Sequence, residues 1–386
     1  MNAAPSPPPG RTDWLTVALV FAGALLAAAQ FGKISLTLEA TASAFGVGVQ
    51  PMAAMVSLVG LIGLVFGAMA GGAAAGFGIG RTYLLGLSLG GALSLAQALL
   101  PPFPAFAILR ALEGAAHLAL VVAGPPLMAS AASDRSRPFV MGLWALFFGL
   151  SLALSAAAFP AILAAGGVPL LFALHGAAML GLAAALWRRL PRGAMTRPAL
   201  SPLRLHAQIY CRLPTVAPAL AFLPSTFLFL AAVTFLPGAL GRPGLATALP
   251  LLTLTTTLAG GALCRYVVPH RVIAVGHAGT ALGAVGIALA LPGSVSLCFL
   301  SMGLVPGACF AAIPHLNASA GDRARATGAI AQLGNVGTVT GTPVFAAALT
   351  AGGAPALLGL LAGVALAGMA AALWLELRLA AASAAM

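Results

Sequence analysis

The sequence predicts an all-α membrane protein: twelve transmembrane helices in two six-helix bundles, with both termini cytoplasmic. Three observations carry this. Of the 386 residues, 61% are hydrophobic and 6% charged, against about 45–50% apolar and about 25% charged in soluble domains. The mean hydropathy of +1.06 is spread over the whole chain, in runs close to the ~20 residues that cross a bilayer as helix. The basic residues also fall on one side when the chain is threaded alternately through the membrane.

Residues 1–13 contain Pro5, Pro7, Pro8, Pro9 and Gly10, a composition that favours a disordered tail over a helix. They do not read as a signal peptide, because Trp14 opens a run long enough to span. Six apolar runs follow, at 14–38, 49–71, 82–100, 103–131, 138–163 and 168–187, separated by Gly, Pro or charge. Six more lie at 213–238, 245–264, 271–291, 294–317, 327–350 and 353–377. Between them, residues 188–212 form the only long basic connector, with Pro191, Pro198 and Pro202, and read as a cytoplasmic linker beside lipid headgroups. The domains are therefore a tail (1–13), an N-terminal bundle (14–187), the linker (188–212), a C-terminal bundle (213–377) and a C-terminal tail (378–386).

With the N-terminus inside, 15 of the 18 Lys and Arg residues fall on cytoplasmic segments, Arg242 falls outside, and Lys33 and Arg110 lie within spans. Inverting the chain reverses the bias that retains basic residues in cytoplasmic loops. The net charge of +12 thus belongs to topology. A nucleic-acid partner is excluded, since the basic residues sit between apolar runs and make no soluble basic face. Cys211, Cys264, Cys298 and Cys309 show no C-x-x-C spacing, which argues against disulfide and zinc sites. The expected partners are the lipid bilayer and a small-molecule solute, with a monomeric chain, no cofactor and no metal.

The halves repeat. Asp134-Arg135-Ser136-Arg137 follows the fourth span and Asp322-Arg323-Ala324-Arg325 the tenth, 322 − 134 = 188 residues apart. Pro126 and Pro314 have the same separation, 314 − 126 = 188, and Gly71-Gly72 and Gly260-Gly261 are 260 − 71 = 189 apart. Internal symmetry of this kind is a property of membrane carriers.

Twelve spans in two halves, the basic central loop and the repeated loop motifs together resemble the major facilitator superfamily over essentially the whole chain. That family's loop between spans two and three usually reads Gly, three residues, Asp, then a basic residue, any residue, Gly and further basic residues. Here Gly71, Gly78 and Arg81 stand in register, with Ala75 and Gly76 at the acidic and basic positions; in the second half Gly260 and Arg265 match, with Cys264 at the acidic position. The resemblance implies gating contacts at Gly71, Arg81, Arg265, Asp134, Arg135, Arg137, Asp322, Arg323 and Arg325. The run Arg110-Ala111-Leu112-Glu113-Gly114 looks like the family's fourth-span Arg-x-x-x-Gly pattern, and with Lys33 it most resembles the cyanate-permease-like branch. The fifth span lacks the Gly-Pro dipeptide of many drug antiporters.

An ionisable group inside a bilayer is costly unless it meets a partner or water, so each is a candidate functional residue. Arg110, Glu113 and His117 stand at i, i+3 and i+7 on one helical face, and Gln30, Lys33 and Thr37 repeat that spacing in span one. In the family these two spans line the central cavity, so the resemblance implies that the stripes converge on substrate. Glu113 is the candidate proton carrier and His117 the alternative. The opposing reading is a structural Arg110–Glu113 pair that neutralises itself. Lys33 has no acidic residue one turn away, which suits an anionic substrate; alternatively, its stem snorkels to the headgroups. In span eleven Gln332 and Asn335 share a face with Thr338 and Thr342, and either contact substrate or hydrogen-bond across a glycine-packed interface. His277, Met52 and Met55 raise a metal substrate, weakly, since methionines in apolar spans usually pack.

The function expected is a secondary transporter, not an enzyme, that moves a small anionic solute across the bacterial inner membrane by alternating access with proton coupling as an option. The alternatives are an exporter of drugs or amphipathic compounds on the same fold, a copper importer, or an intramembrane assembly factor or enzyme. The last has no H-E-x-x-H pattern in its support.

Overall fold

The computed structural model describes residues 11–133, 135–191 and 202–384. Among them there is no strand. The helices are α1 (Trp14–Ser35), α2 (Leu38–Ala44), α3 (Val49–Phe77), α4 (Ile79–Ala98), α5 (Phe103–Ala131), α6 (Arg137–Ala145), α7 (Phe147–Leu186), α8 (Pro202–Tyr210), α9 (Leu213–Ala239), α10 (Leu245–Leu263), α11 (Pro269–Ala288), α12 (Ser294–Leu316) and α13 (Ala320–Ala384). Nine described helices are long and apolar enough to cross a membrane: α1, α3, α5, α7, α9, α10, α11, α12 and α13. The 20-residue α4 falls outside that set because Arg81, Tyr83, Ser88, Ser94 and Gln97 dilute its apolar run. Side chains such as Leu85, Ile108, Val275 and Leu282 are more than half exposed, an outer surface that lipid solvates and water does not.

The chain divides into two compact units, residues 1–201 and 202–386. Within the first, α1 packs on α5 and α7, α4 packs on α5 and α7, and α3 packs on α5. Within the second, α9 packs on α12 and α13, α11 packs on α12 and α13, and α10 packs on α12. The pairings correspond one to one, so the repeat seen in the sequence extends to how each unit is packed.

It extends to the backbone as well. Helix α7 is broken at Gly166-Gly167 and α13 at Gly352-Gly353, a separation of 352 − 166 = 186 residues. Gly167 has φ +66° and ψ −163°, and Gly353 has φ +62° and ψ −155°, a conformation essentially confined to glycine. Pro169 and Pro355 follow two residues later and cannot donate to the preceding turn. These breaks fall in the gaps expected between spans five and six and between eleven and twelve.

Other boundaries differ from expectation. The first span stops at Ser35, and the chain then turns into the short α2, which the sequence did not foretell. Phe45, just past α2, meets Phe106 at a tilt with ring centroids 4.3 Å apart. At the opposite end of the unit, the last residues of the proposed tail are tied down. Asp13 caps α1 by accepting from the Thr16 amide at 3.0 Å, its own amide donates to the Ala131 carbonyl at the end of α5, and the Thr16 hydrogen bonds hold its carboxyl below the usual range.

Gly167→Ala and Gly353→Ala should each lower the thermal midpoint of the detergent-solubilised protein, at a cost of about 1–3 kcal/mol. Gly181→Ala and Gly363→Ala serve as controls, because they lie in regular helix with open space around them; their midpoints should stay level or rise.

Candidate functional site

The two polar stripes of the first unit meet inside it. From α5, the Arg110 guanidinium pairs with Glu113 at 2.5 Å through one amino group, donates to the Gln30 carbonyl of α1 through the other at 2.9 Å, and donates through Nε to the Met55 carbonyl of α3 at 3.1 Å. From α1, the Lys33 ammonium stands 2.7 Å from Glu113 Oε1, off the line of a well-directed hydrogen bond, and donates to the Ser94 hydroxyl of α4 at 2.9 Å. Gln97 of α4 donates to Glu113 Oε2 at 2.9 Å. Lys33, Arg110 and Glu113 are each 0% exposed, so the triad sits in a medium that strongly penalises an unpaired ion.

Local sequence explains the arrangement. Arg110 and Glu113 are one turn apart on α5 and reach each other directly. Lys33 lies two residues before the end of α1, and Ser94 and Gln97 lie in the last turns of α4, so two helix ends bring their side chains to α5. Over them, Phe172 of α7 presents its ring 5.0 Å from the Lys33 ammonium. Phe106 stacks on Phe172 at 6.1 Å and meets Phe45 at a tilt of 36° with centroids 4.3 Å apart. This aromatic layer shields the triad from the side where α1 ends.

Two expectations for Lys33 are corrected here. It is not an unpaired cation, since its carboxylate partner comes from α5 and not from its own helix. Nor does it snorkel to the headgroups, because its ammonium turns inward to Glu113 and Ser94. Thr37 is corrected too: α1 has already ended, so Thr37 leaves the stripe, donates to the Lys33 carbonyl at 2.5 Å and shares a hydrogen bond with Thr41 at 2.9 Å. Gln30 remains on the stripe, fully buried, with its side-chain oxygen unpartnered. His117 joins α5 to α1 through the Ala27 carbonyl, 2.9 Å from Nδ1, and packs edge-on against Phe31.

The sequence reading missed Ser94, Gln97 and His175. His175 of α7 places Nδ1 3.1 Å from Ser94 Oγ and Nε2 3.0 Å from the Leu26 carbonyl. The signal available was Ser94 and Gln97 one turn apart on one face of a span and His175 alone in an apolar run, which the membrane cost makes informative.

In the second unit the span-eleven residues divide. Gln332 accepts from the Tyr210 hydroxyl of α8 at 2.7 Å, and its amide nitrogen lies 3.4 Å from His206. Asn335 donates to the Ala331 carbonyl at 2.7 Å and Thr338 to the Gly334 carbonyl at 3.0 Å, so both satisfy their own helix. A Cβ added at Gly337 or Gly341 would stand 2.2 Å from Thr226 Oγ1 or the Phe227 carbonyl, which makes these glycines a close seam between α13 and α9.

Asp322 accepts from Arg325 at 2.7 Å, from Ser319 at 2.7 Å and from Arg212 at 2.9 Å; the Arg325 and Ser319 bonds hold its carboxyl below the usual range. Arg271 pairs with Glu376 at 2.7 Å. Arg137 donates to the Ala129 carbonyl at 3.3 Å. Arg135, Arg323, Arg265 and Gly71 are exposed, and Arg81 is half-buried in the first turn of α4. Asp134 lies outside the described residues. His277 is buried on α11 against Gly368, and among the described residues no three His, Cys, Asp or Glu side chains group as a metal would require.

The triad's charge balance makes its stability asymmetric. Removing Glu113 leaves two buried cations, whereas removing Lys33 leaves a neutral Arg110–Glu113 pair. Glu113→Leu should therefore cost about 3–5 kcal/mol, and Lys33→Met much less. Thermal midpoints of the two variants check this; equal losses would contradict it. Against known proteins, the family model described as Major Facilitator Superfamily matches residues 20–341, and no curated protein matches the chain significantly.

Proposed function

Since this chain belongs to the major facilitator superfamily, we propose that it is a secondary carrier that moves a small anionic solute together with a proton by alternating access. The observation that carries the reading is the charge of the buried triad. Two cations face one carboxylate, which leaves a net positive charge in a water-poor interior. Protonating Glu113 raises that charge further, and an anionic solute drawn into its field offsets it. Proton and anion then favour each other's binding, and by linkage the coupling is reciprocal. A neutral solute gains nothing from this arrangement.

The same proposal includes twelve crossings. Among the described residues nine helices meet the length and hydropathy needed; α4 is a tenth of sufficient length, and the breaks in α7 and α13 divide each of those into two. Both termini then lie on the cytoplasmic side of the cell's inner membrane, the side to which basic residues are biased. Placement in the cyanate-permease-like branch is supported by Lys33 together with the Arg110 to Gly114 run.

A thermal-stability screen of the purified protein with cyanate, nitrate, formate, acetate and phosphate tests the solute class, since a ligand specific to the native state raises the midpoint. At least one anion should stabilise, more at mildly acidic than at alkaline pH, and in Glu113→Gln the shift should be the same at both. Stabilisation by neutral sugars or amino acids alone would overturn the reading. For the topology, Arg242→Cys should react with an impermeant thiol reagent in intact cells, whereas the exposed native Cys211 should react only after permeabilisation.

A further inference from the structure

His175 is a buried titratable group for which the triad alone gives no use. It is 6% exposed on α7 and lies eight residues beyond the break at Gly167. Its Nε2 is 3.0 Å from the Leu26 carbonyl, an acceptor only, so Nε2 carries a proton and donates. Its Nδ1 is 3.1 Å from Ser94 Oγ. That hydroxyl also lies 2.9 Å from the Phe172 carbonyl and accepts from Lys33 at 2.9 Å.

While Lys33 donates to it as an ammonium, Ser94 has one proton and two places to give it. If it donates to the Phe172 carbonyl, His175 Nδ1 must donate to Ser94, and the ring is an imidazolium. If the ring is neutral, Ser94 donates to Nδ1 and gives up the Phe172 carbonyl. The direction of the serine hydroxyl is thus tied to the charge on His175. The contacts run from His175 to Ser94 at 3.1 Å, from Ser94 to Lys33 at 2.9 Å and from Lys33 to Glu113 Oε1 at 2.7 Å, the last an ion pair that must reorient before it passes a proton.

We infer that His175 is a second proton-binding residue of the carrier, exchanging its proton with Glu113 through the Ser94 hydroxyl and the Lys33 ammonium. The inference rests on the reading of Glu113 as the proton carrier. The transfer balances. Lys33 first swings into line with Glu113, and its N–H bond breaks as a Glu113 Oε1–H bond forms; the neutral amine, now an acceptor, turns to Ser94, whose O–H bond breaks as a new Lys33 N–H forms; and the His175 Nδ1–H bond breaks as the Ser94 hydroxyl is remade. One proton has moved from imidazolium to carboxylate, and Ser94 and Lys33 end as they began. The charged groups facing His175 are Lys33 from α1 and Glu113 and Arg110 from α5. Lysine fits the middle position because an ammonium can pass a proton on, whereas a guanidinium cannot.

The test needs no solute. In the full-length protein in detergent, a rapid drop in pH is followed by time-resolved infrared spectroscopy of the protonated carboxyl band of Glu113, assigned by its loss in Glu113→Gln. The band should appear about a hundredfold more slowly in Ser94→Ala and in His175→Asn than in the native chain. Ser94→Thr, which restores the hydroxyl, should recover the native rate. An unchanged rate in either Ser94→Ala or His175→Asn would overturn the relay while leaving Glu113 as proton carrier. A native chain that never shows the band would overturn the Glu113 reading, and the relay with it. Equal slowing in Ser94→Thr and Ser94→Ala would also overturn the relay, by assigning Ser94 a packing role.

Discussion

A carboxylate between two cations, with water excluded, is the constraint on which the first unit depends. Each of the three ions would be prohibitively expensive alone in this interior. Arg110 spends its donors on Glu113 and on the carbonyls of Gln30 and Met55, and so clamps α5 to α1 and α3. Lys33 extends the clamp to α4 through Ser94, and Phe172 brings in α7. Four helices and one broken helix are therefore organised around a single carboxylate.

That arrangement is also poised. A buried pair with matched charges would be inert, as salt bridges that only hold helices together are. A surplus cation makes the site responsive to whatever negative charge approaches and to the protonation of Glu113 itself. The aromatic layer of Phe45, Phe106 and Phe172 keeps the local dielectric low, so a change of one charge is felt strongly. The short α2, which supplies the lead-in to Phe45, is part of this seal.

Much of the fold was legible because the bilayer imposes simple rules. Length and hydropathy located the long apolar helices, and the boundaries expected between spans five and six and between eleven and twelve fall at the breaks in α7 and α13. The stripes of α1 and α5 meet through Lys33, Gln30, Arg110 and Glu113, as the family resemblance implied, while Thr37 falls outside. The ion partner of Lys33 was not legible, because Glu113 lies 80 residues along the chain (113 − 33), and periodicity within a helix says nothing of what the next helix presents. Thr37 was placed on the stripe by spacing, but helix periodicity fails once α1 ends at Ser35. Ser94 stands one turn from Gln97, and His175 alone among apolar residues; their meaning is tertiary. In α13 the glycines at 337 and 341 proved to be a packing seam, and Asn335 and Thr338 turn back on their own helix, so span eleven carries less chemistry than its composition suggested.

The most direct test of the central claim counts protons. Calorimetric titration of the purified protein with a stabilising anion, repeated in buffers of different ionisation enthalpy, gives the number of protons taken up on binding. The triad predicts net proton uptake in the native chain at neutral pH and none in Glu113→Gln. Anion binding with no proton uptake in the native chain, or with the same uptake in both, would contradict Glu113 as the group that links solute to proton.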